Sequence, residues 1–436
     1  MNIVKYKMIK EIVYEYWEKE IPEVIPRDSK IDSSDLINDI VGIRRCGKTF
    51  LMYSKINELL KKIDKKSTIY INFENRKLFP LKQEYFNELI EFIHSEKLLE
   101  RGKIYIFLDE VQKVSGWEKF VRSIYDEFKG KIKIFVTGSN ANLLSKDYGA
   151  LLTGRHLSKT LMPLSFKEFL RFKKHEFNKG VTEKERANIK KFFEEYLNFG
   201  GFPEVALSDN KEQILGQLFN DILSRDILSR NIRKENTIEE FSYYLAGNVA
   251  NLLSFNKMAN YFKSRGIKIS VSTIENYFNL IKDSFLFFDN LIFSYKIKDQ
   301  FQNPRKVYCI DSGLLNLIGM KFSKDYGKMY ENIVFLELKR KAFDNRLMHI
   351  FYWKNILHEE VDFVIKEGLK IKQLIQVCHN MDNLETKKRE IKSLVKGSEE
   401  LKCNNLLVIT DNYEGKEKIE NKKITFIPLW KWLLEL

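Results

Sequence analysis

Apolar positions change period several times along the chain, and each change marks an element. In the first third, short apolar runs alternate with stretches of helical spacing. The run 36–41 reads as a strand, although Asn38 and Asp39 interrupt it, and the stretch 50–62 follows with apolar residues at Leu51, Ile56, Leu59 and Leu60. Three more strand-length runs lie at 68–73, 104–108 and 132–136. Strands alternating with helices over 31–165 predict a parallel sheet flanked by helices. Residues 1–30 precede it as a helix over 9–17 and an irregular arm containing Pro22 and Pro26.

Beyond Pro163 the spacing turns helical. Phe166, Phe169 and Leu170, then Phe192, Phe193, Tyr196 and Leu197, follow this period, broken by the turn signal Gly200-Gly201-Phe202-Pro203. Residues 166–235 are therefore predicted to be a helical lid after the core. In 236–300, Ser254 is placed to cap a helix over 256–264, Gly266 to turn the chain, and Ser270 to cap a second helix over 271–281. The loosely alternating stretch 285–297 predicts a β-ribbon, and two helices followed by a ribbon form a winged-helix pattern. The last region, 301–436, is expected to hold a helix over 331–340, strands over 350–353, 361–365 and 373–377, a helix over 386–394 and a strand over 406–410.

The candidate chemistry sits where the first strand meets the first helix. Gly42-Ile43-Arg44-Arg45-Cys46-Gly47-Lys48-Thr49 fits the pattern Gly-x-x-x-x-Gly-Lys-[Ser/Thr], in the strand–loop–helix context that the pattern needs. Backbone amides of the loop and the helix N-terminus would surround a polyphosphate. Gly42, Arg44, Arg45, Cys46, Gly47, Lys48 and Thr49 are the nucleotide-binding candidates. Lys48 would meet the β- and γ-phosphates, and the Thr49 hydroxyl would coordinate Mg²⁺. Asp109 and Glu110 close an apolar run, the position from which a strand end points into the ligand crevice of an α/β sheet. Asp109 would hold Mg²⁺ through water, and Glu110 would polarise the attacking water as general base. The run over 132–136 leads into Thr137-Gly138-Ser139-Asn140, where Asn140 is the candidate to lie beside the γ-phosphate and an ordinary turn is the alternative. ATP and Mg²⁺ are the expected cofactors.

With 436 residues, the chain is expected to form about two to four domains. Cys46, Cys309, Cys378 and Cys403 are scattered without a Cys-x-x-Cys pair, which argues against a zinc site and a disulfide framework and fits a reducing cytoplasm. Residues 1–20 are charged throughout, unlike a secretion signal. The most apolar stretch, 285–295, is too short for a membrane span. A net charge of +14 makes a polyanion such as nucleic acid an admissible partner, and equally fits a diffuse solvated surface. Over 254–300 the net charge is +3, a slight enrichment, and Glu275 on the second helix would repel phosphate.

Read together, these strings resemble a large family of prokaryotic AAA-type ATP-binding proteins. The family joins a P-loop ATPase core, a winged-helix module and a C-terminal domain related to restriction endonucleases. The resemblance covers nearly the whole chain. It includes Leu108-Asp109-Glu110-Val111-Gln112, Gly116-Trp117-Glu118, Gly154-Arg155, Pro163-Leu164-Ser165-Phe166, Gly200-Gly201-Phe202-Pro203-Glu204, Asp311-Ser312-Gly313-Leu314, Glu331-Asn332 and Val361-Asp362-Phe363-Val364. It implies an α/β P-loop NTPase core with a parallel sheet, a helical lid, a winged helix and a C-terminal α/β nuclease-like domain over 301–436. It also implies nucleotide hydrolysis as a conformational switch, and leaves room for a protein partner and for an oligomer. Arg155 matches the family's Gly-Arg, with a γ-phosphate contact in its own or a neighbouring subunit and a structural salt bridge as the alternatives. Nucleases resembling the last domain need an acid on the first helix, an Asp, and Glu-x-Lys on the next strand. Glu337 and Asp362 are matched to the first two, but the third reads Gln376-Val377-Cys378. The Gln gives up an anionic metal ligand and the Cys gives up the cation, so this site is expected to be inactive. An ATP-gated DNA nuclease and a nucleotide-held, non-catalytic adaptor are the rival readings.

Overall fold

The computed structural model describes residues 8–139, 152–175, 182–228, 235–319 and 325–435, and Asn140 lies outside them. The chain divides into two compact units, Met1–Leu161 and Met162–Leu436.

Among its described residues, the first unit has five strands: β1 (Ile37–Val41), β2 (Thr68–Asn72), β3 (Ile104–Asp109), β4 (Ile132–Gly138) and β5 (His156–Thr160). They lie in the order β2-β3-β4-β1-β5, and every pairing is parallel. Helices Lys48–Leu60, Glu84–Ser95 and Trp117–Glu127 fall between strands in the chain. The N-terminal helix Met8–Glu18 packs on β2, where the Trp17 indole donates to the Thr68 carbonyl at 2.8 Å. The polar interruption in β1 has a partner. Asp39 is fully buried, and its carboxylate receives His156 Nδ1 at 2.8 Å and the Ser158 hydroxyl, both from β5. A half-buried polar strand thus pairs with β1 because its neighbour carries a buried carboxylate.

The second unit opens with helices Phe166–Phe172, Glu183–Phe199, Pro203–Leu207 and Lys211–Asp221, the last running into a π-turn over Ile222–Ile227. Ser165 and Glu168 form a capping box at the first of these. Helices Glu235–Gly247, Phe255–Ser264 and Val271–Asp283 follow, and Ser254 and Ser270 cap the last two. Among the described residues nine strands follow: β6 (Leu252–Leu253), β7 (Phe287–Ile292), β8 (Arg305–Cys309), β9 (Met348–Lys354), β10 (Glu360–Glu367), β11 (Lys370–Cys378), β12 (Leu406–Thr410), β13 (Gly415–Ile419) and β14 (Lys422–Pro428). They form one sheet in the order β13-β14-β12-β11-β10-β9-β7-β8-β6. The ribbon expected over 285–297 is instead β7 paired antiparallel with β8, with the helix Ile297–Gln302 between them. On its other side β7 pairs in parallel with β9. Strands from both sides of residue 300 therefore share a sheet. The helix Leu384–Leu401 packs on β10 and β11 over an apolar core that includes Trp353, Val361, Leu394 and Phe426.

Two of the sequence strings lock together in this unit. Asp311 caps the helix Ser312–Ile318 by accepting from Gly313 N at 2.9 Å and Leu314 N at 3.1 Å, and also accepts from Gly201 N at 2.7 Å. Gly200 has a φ of +76°, and a Cβ there would sit 1.9 Å from an Asp311 oxygen. At Gly313 a Cβ would meet the Phe199 carbonyl at 2.2 Å. These glycines are required by close approach and, at Gly200, by a left-handed backbone. Gly200→Ala is expected to destabilise the unit by about 2–4 kcal/mol, since overpacking adds to backbone strain. Chemical denaturation checks this, and a variant as stable as the parent would mean that the two strings are not tightly joined.

Among the described residues, no helix is long and apolar enough to cross a membrane. All four cysteines are buried free thiols.

Candidate nucleotide site

The site forms where β1 ends in the glycine loop. A Cβ at Gly42 would lie 2.1 Å from the Leu161 carbonyl, so the loop passes too close to the chain after β5 for any side chain. Gly47 stands at the N-cap of the helix Lys48–Leu60 with φ 102°, and no side chain caps that helix. Its first amides are thus left for a ligand, at the end where the helix dipole favours an anion. Lys48 is 4% exposed, and its ammonium donates to the carbonyls of Gly42 at 3.0 Å and Ile43 at 3.2 Å. Cys46 is buried, which pushes its thiol pKa up; its carbonyl accepts from Arg27 at 2.9 Å. Arg44 faces Glu74 at 3.7 Å, and Arg45 adopts a left-handed φ of 61°.

β3 brings the two acids to this loop. The Thr49 hydroxyl donates to Asp109 Oδ2 at 2.8 Å, and Lys48 Nζ lies 3.8 Å from Glu110 Oε1. A hydroxyl and a carboxylate in contact are the hard oxygen donors that suit Mg²⁺, and the uncapped amides with the buried lysine suit a polyphosphate. Burial raises the Asp109 carboxyl above its ordinary value, against hydrogen bonds from Thr137, Thr49 and Tyr70 and with a further push from the Glu110 charge. Glu110 itself is left-handed at φ 54°.

Several partners were not read from the sequence. The Thr137 hydroxyl accepts from Glu110 N at 2.9 Å and donates to Asp109, so one side chain fixes both acids. Gln112 Nε2 donates to Glu110 Oε2 at 2.6 Å and to Ser139 Oγ at 3.4 Å. From β2, the Tyr70 hydroxyl donates to Asp109 Oδ2 at 2.8 Å and Asn72 stands beside the same oxygen at 3.4 Å. The signal for Tyr70 and Asn72 was their alternation with apolar neighbours in a strand that pairs with β3, which puts Asn72 opposite Asp109.

Arg155 is placed elsewhere. It precedes β5, whose first residue aligns with Ile37 at the start of β1, whereas the loop follows the end of β1. Its guanidinium pairs with Asp126 at 2.8 Å and with the Thr153 carbonyl at 3.3 Å. At about 3.3 Å per residue, the length of a strand separates it from the loop of its own chain. The contact that the structure shows for Arg155 is the salt bridge with Asp126.

The positions matched to the nuclease pattern come together only in part. Asp362 and Gln376 do meet: Asp362 N donates to Gln376 Oε1 at 3.3 Å, and Val377 N donates to Asp362 Oδ2 at 2.9 Å. Glu337 does not join them; it pairs with Arg340 at 3.3 Å. The acid on that helix, Tyr326–Asp344, that does approach is Glu331. At the centre stands Lys306 from β8, 2% exposed, within 2.8 Å of Glu331, 2.6 Å of Glu360 and 2.9 Å of Asp362. Cys378 contributes a buried thiol to the core, and burial pushes its pKa up to about 11. Gln376 Nε2 donates to Glu390 at 2.6 Å. Among the described residues, no group of three or more His, Cys, Asp or Glu is arranged to hold a metal ion.

Residues 34–170 match a family described as an AAA domain, and residues 190–324 and 326–432 match two domains of unknown function, DUF8612 and DUF4143. The uncharacterized protein MJ1544 of Methanocaldococcus jannaschii is 39% identical over 424 residues, covering 94% of this chain and 91% of that protein. An uncharacterized protein of Haemophilus influenzae is 30% identical over 410 residues, covering 91% and 94%. The parallel sheet and glycine loop define a P-loop protein with an AAA domain. The chain belongs to the family of these two proteins. Among solved structures, it is similar to the Walker-type ATPase PABY2304 of Pyrococcus abyssi at 15% identity and a TM-score of 0.40, covering 65% of this chain and 90% of that one. AMPPCP-bound DnaA from Aquifex aeolicus matches at 16% identity and a TM-score of 0.24, covering 64% and 88%. Neither likeness is close enough to speak to function.

Proposed function

We propose that this chain binds and hydrolyses ATP with Mg²⁺, and uses the cycle as a conformational switch. The observation that carries this reading is the meeting of Thr49 with Asp109 at 2.8 Å beside Lys48 and Glu110 at 3.8 Å, four side chains from the start of one helix and the end of β3. The loop amides and Lys48 would hold the β- and γ-phosphates and stabilise the charge that develops as ADP leaves. Mg²⁺, held through Thr49 and Asp109, would neutralise the phosphate oxygens. Glu110 would take the proton of the attacking water, its carboxylate oriented by Gln112. The downstream modules, a helical lid over 166–235, a winged helix over 236–300 and a nuclease-like domain over 301–436, would receive the switch. Nucleic acid, a protein or further copies of the chain are the candidate partners, in the cytoplasm. The exposed face of the second helix, with Ser272, Glu275, Asn276 and Asn279, is the surface a duplex would meet. The Lys306 ammonium among the carboxylates speaks against ATP-gated cleavage of DNA, because a divalent cation would have to share that space with a buried positive charge.

Lys48→Ala is expected to weaken ATP binding by about 100-fold or more and to abolish phosphate release, since a buried charge-assisted contact is lost. Titration with ATP, followed by a phosphate-release assay with and without Mg²⁺, checks both. Hydrolysis at the parent's rate in this variant would overturn the reading. Tight binding by the parent with negligible release would favour the nucleotide-held adaptor.

A further inference from the structure

A second cavity, of about 450 Å³, lies wholly within the second unit and shares no residue with the glycine loop. Its position follows from the sheet. β11, β12 and β14 are mutually parallel, and their ends align, Cys378 opposite Thr410 and Thr410 opposite Pro428. The residues just past those ends, His379, Asp411 with Asn412, and Trp430, line the cavity. The crevice outside the carboxyl ends of parallel strands is where open α/β sheets place ligands. Its volume falls within the range of roughly 300–1,000 Å³ seen for small-molecule sites.

The lining is aromatic with polar edges. Tyr326 stacks on His379 with centroids 5.3 Å apart and planes 12° apart, and Tyr330 meets the same imidazole edge-on at 4.8 Å. Phe193 stands against Tyr330 at 6.0 Å. The Tyr330 hydroxyl donates to Asp411 Oδ1 at 2.7 Å, Asn412 donates to Asp411 Oδ2 at 2.5 Å, and Lys190 donates to Asn412 Oδ1 at 2.5 Å. Each Asp411 oxygen keeps a further lone pair, because an ionised carboxylate accepts at about four sites. Trp430 is 7% exposed, and its indole N–H has no acceptor among the described residues. The charged groups of the lining are Lys190, Glu194 and Asp411, a balance that disfavours an anion.

From this arrangement we infer that the cavity is a binding site for a nucleobase. The ring lies against Tyr326, which is 40% exposed and stacked on its other side by His379, and the amino edge of the base donates to Asp411. A purely apolar aromatic would give no donor to the spare lone pairs of Asp411, and a phosphate would face two carboxylates against one ammonium. A base reaches the site either as a free nucleoside or from an unpaired position of a single strand, where aromatic stacking supplies affinity without fixing sequence.

Adenosine, guanosine, cytidine and uridine lack the phosphates that the glycine loop binds, and calorimetric titration of each into the full chain, with the two variants below as controls, separates this cavity from the base end of the ATP site. At least one is expected to saturate with a Kd on the order of 0.1 mM. Tyr326→Ala is expected to weaken it about tenfold by removing the stacking wall, and Asp411→Asn to change the ranking of the four bases. ATP binding should stay at the parent's level in both variants. Short single-stranded oligonucleotides distinguish the source: tighter, salt-sensitive binding that Tyr326→Ala weakens assigns the base to a strand, whereas no gain over the nucleoside assigns it to a free molecule. The inference is overturned if neither nucleoside nor oligonucleotide binds saturably below about 5 mM, a range well beyond ordinary ligand sites, or if both variants bind as the parent does.

Discussion

Glu110→Gln is expected to bind ATP within about threefold of the parent and to turn it over about 10²–10⁴-fold more slowly, the range associated with loss of a positioned general base. The substitution keeps the shape of the side chain and an oxygen able to accept from Gln112, which stands 2.6 Å from Glu110 Oε2. It removes the basic oxygen and the negative charge that faces Lys48 at 3.8 Å. The backbone gives the same residue weight. Glu110 holds a left-handed φ of 54°, a conformation that costs a non-glycine residue about 1–3 kcal/mol and persists where its surroundings impose it. Here the imposing contact is the amide of Glu110 donating to the Thr137 hydroxyl at 2.9 Å. Equilibrium titration with a fluorescent ATP analogue and single-turnover phosphate release separate binding from chemistry. Parent-like turnover would remove Glu110 from the chemistry and leave the loop as a binding site only.

Lys306→Met should have the largest effect on stability. The ammonium is almost fully buried among three carboxylates, and truncation leaves those acids without their cation, which costs about 3–5 kcal/mol in comparable buried pairs. The loss should depend on pH, with a sign set by Glu331. Burial, reinforced by the Asp362 charge, pushes Glu331 from its ordinary 4.5 up to about 8, against the pull of Lys306. The unfolded chain therefore releases this proton first. The contribution of Glu331 to stability is full below about pH 4.5, falls as pH rises, and is lost once the folded pKa of about 8 is passed. Without the ammonium, Glu331 loses the pull that opposes its burial and Glu360 loses the charge that holds it down against burial, so the deficit of the variant should be large at pH 8 and shrink toward pH 5. Urea denaturation at the two pH values measures this. Equal stability of variant and parent at pH 8 would show that the cluster contributes nothing net.

The glycine loop and its acids were legible because their chemistry is local. A fixed spacing delivers Gly42, Gly47, Lys48 and Thr49, and an apolar run ending in two carboxylates delivers Asp109 and Glu110. What was missed depends on neighbours across the sheet. β5 reads as a polar stretch because its Ser158 and His156 serve Asp39 of β1, and neither strand explains itself alone. Glu331, and not Glu337, joins the Lys306 cluster for a geometric reason. The two lie six residues apart on one helix, about 240° around its axis, so they occupy different faces. Met329, Tyr330, Asn332 through Leu336 and Leu338 are all buried, so no single apolar stripe marks the face toward the sheet. Lys306 lies upstream of the three acids that it neutralises, and the β7–β9 pairing helps to bring its ribbon to them.

That pairing also bears on how the molecule can be divided. The matched families change over between residues 324 and 326, an obvious place to cut the chain. Severing it there would strip the upstream piece of the partner of β7 and the downstream piece of the partner of β9, leaving each with a bare edge ready to join another chain. It would also part a lysine from acids that were folded around it. The fragments should be insoluble apart and recoverable when made together, so inheritance of the two halves as one gene is a folding requirement as much as a functional one.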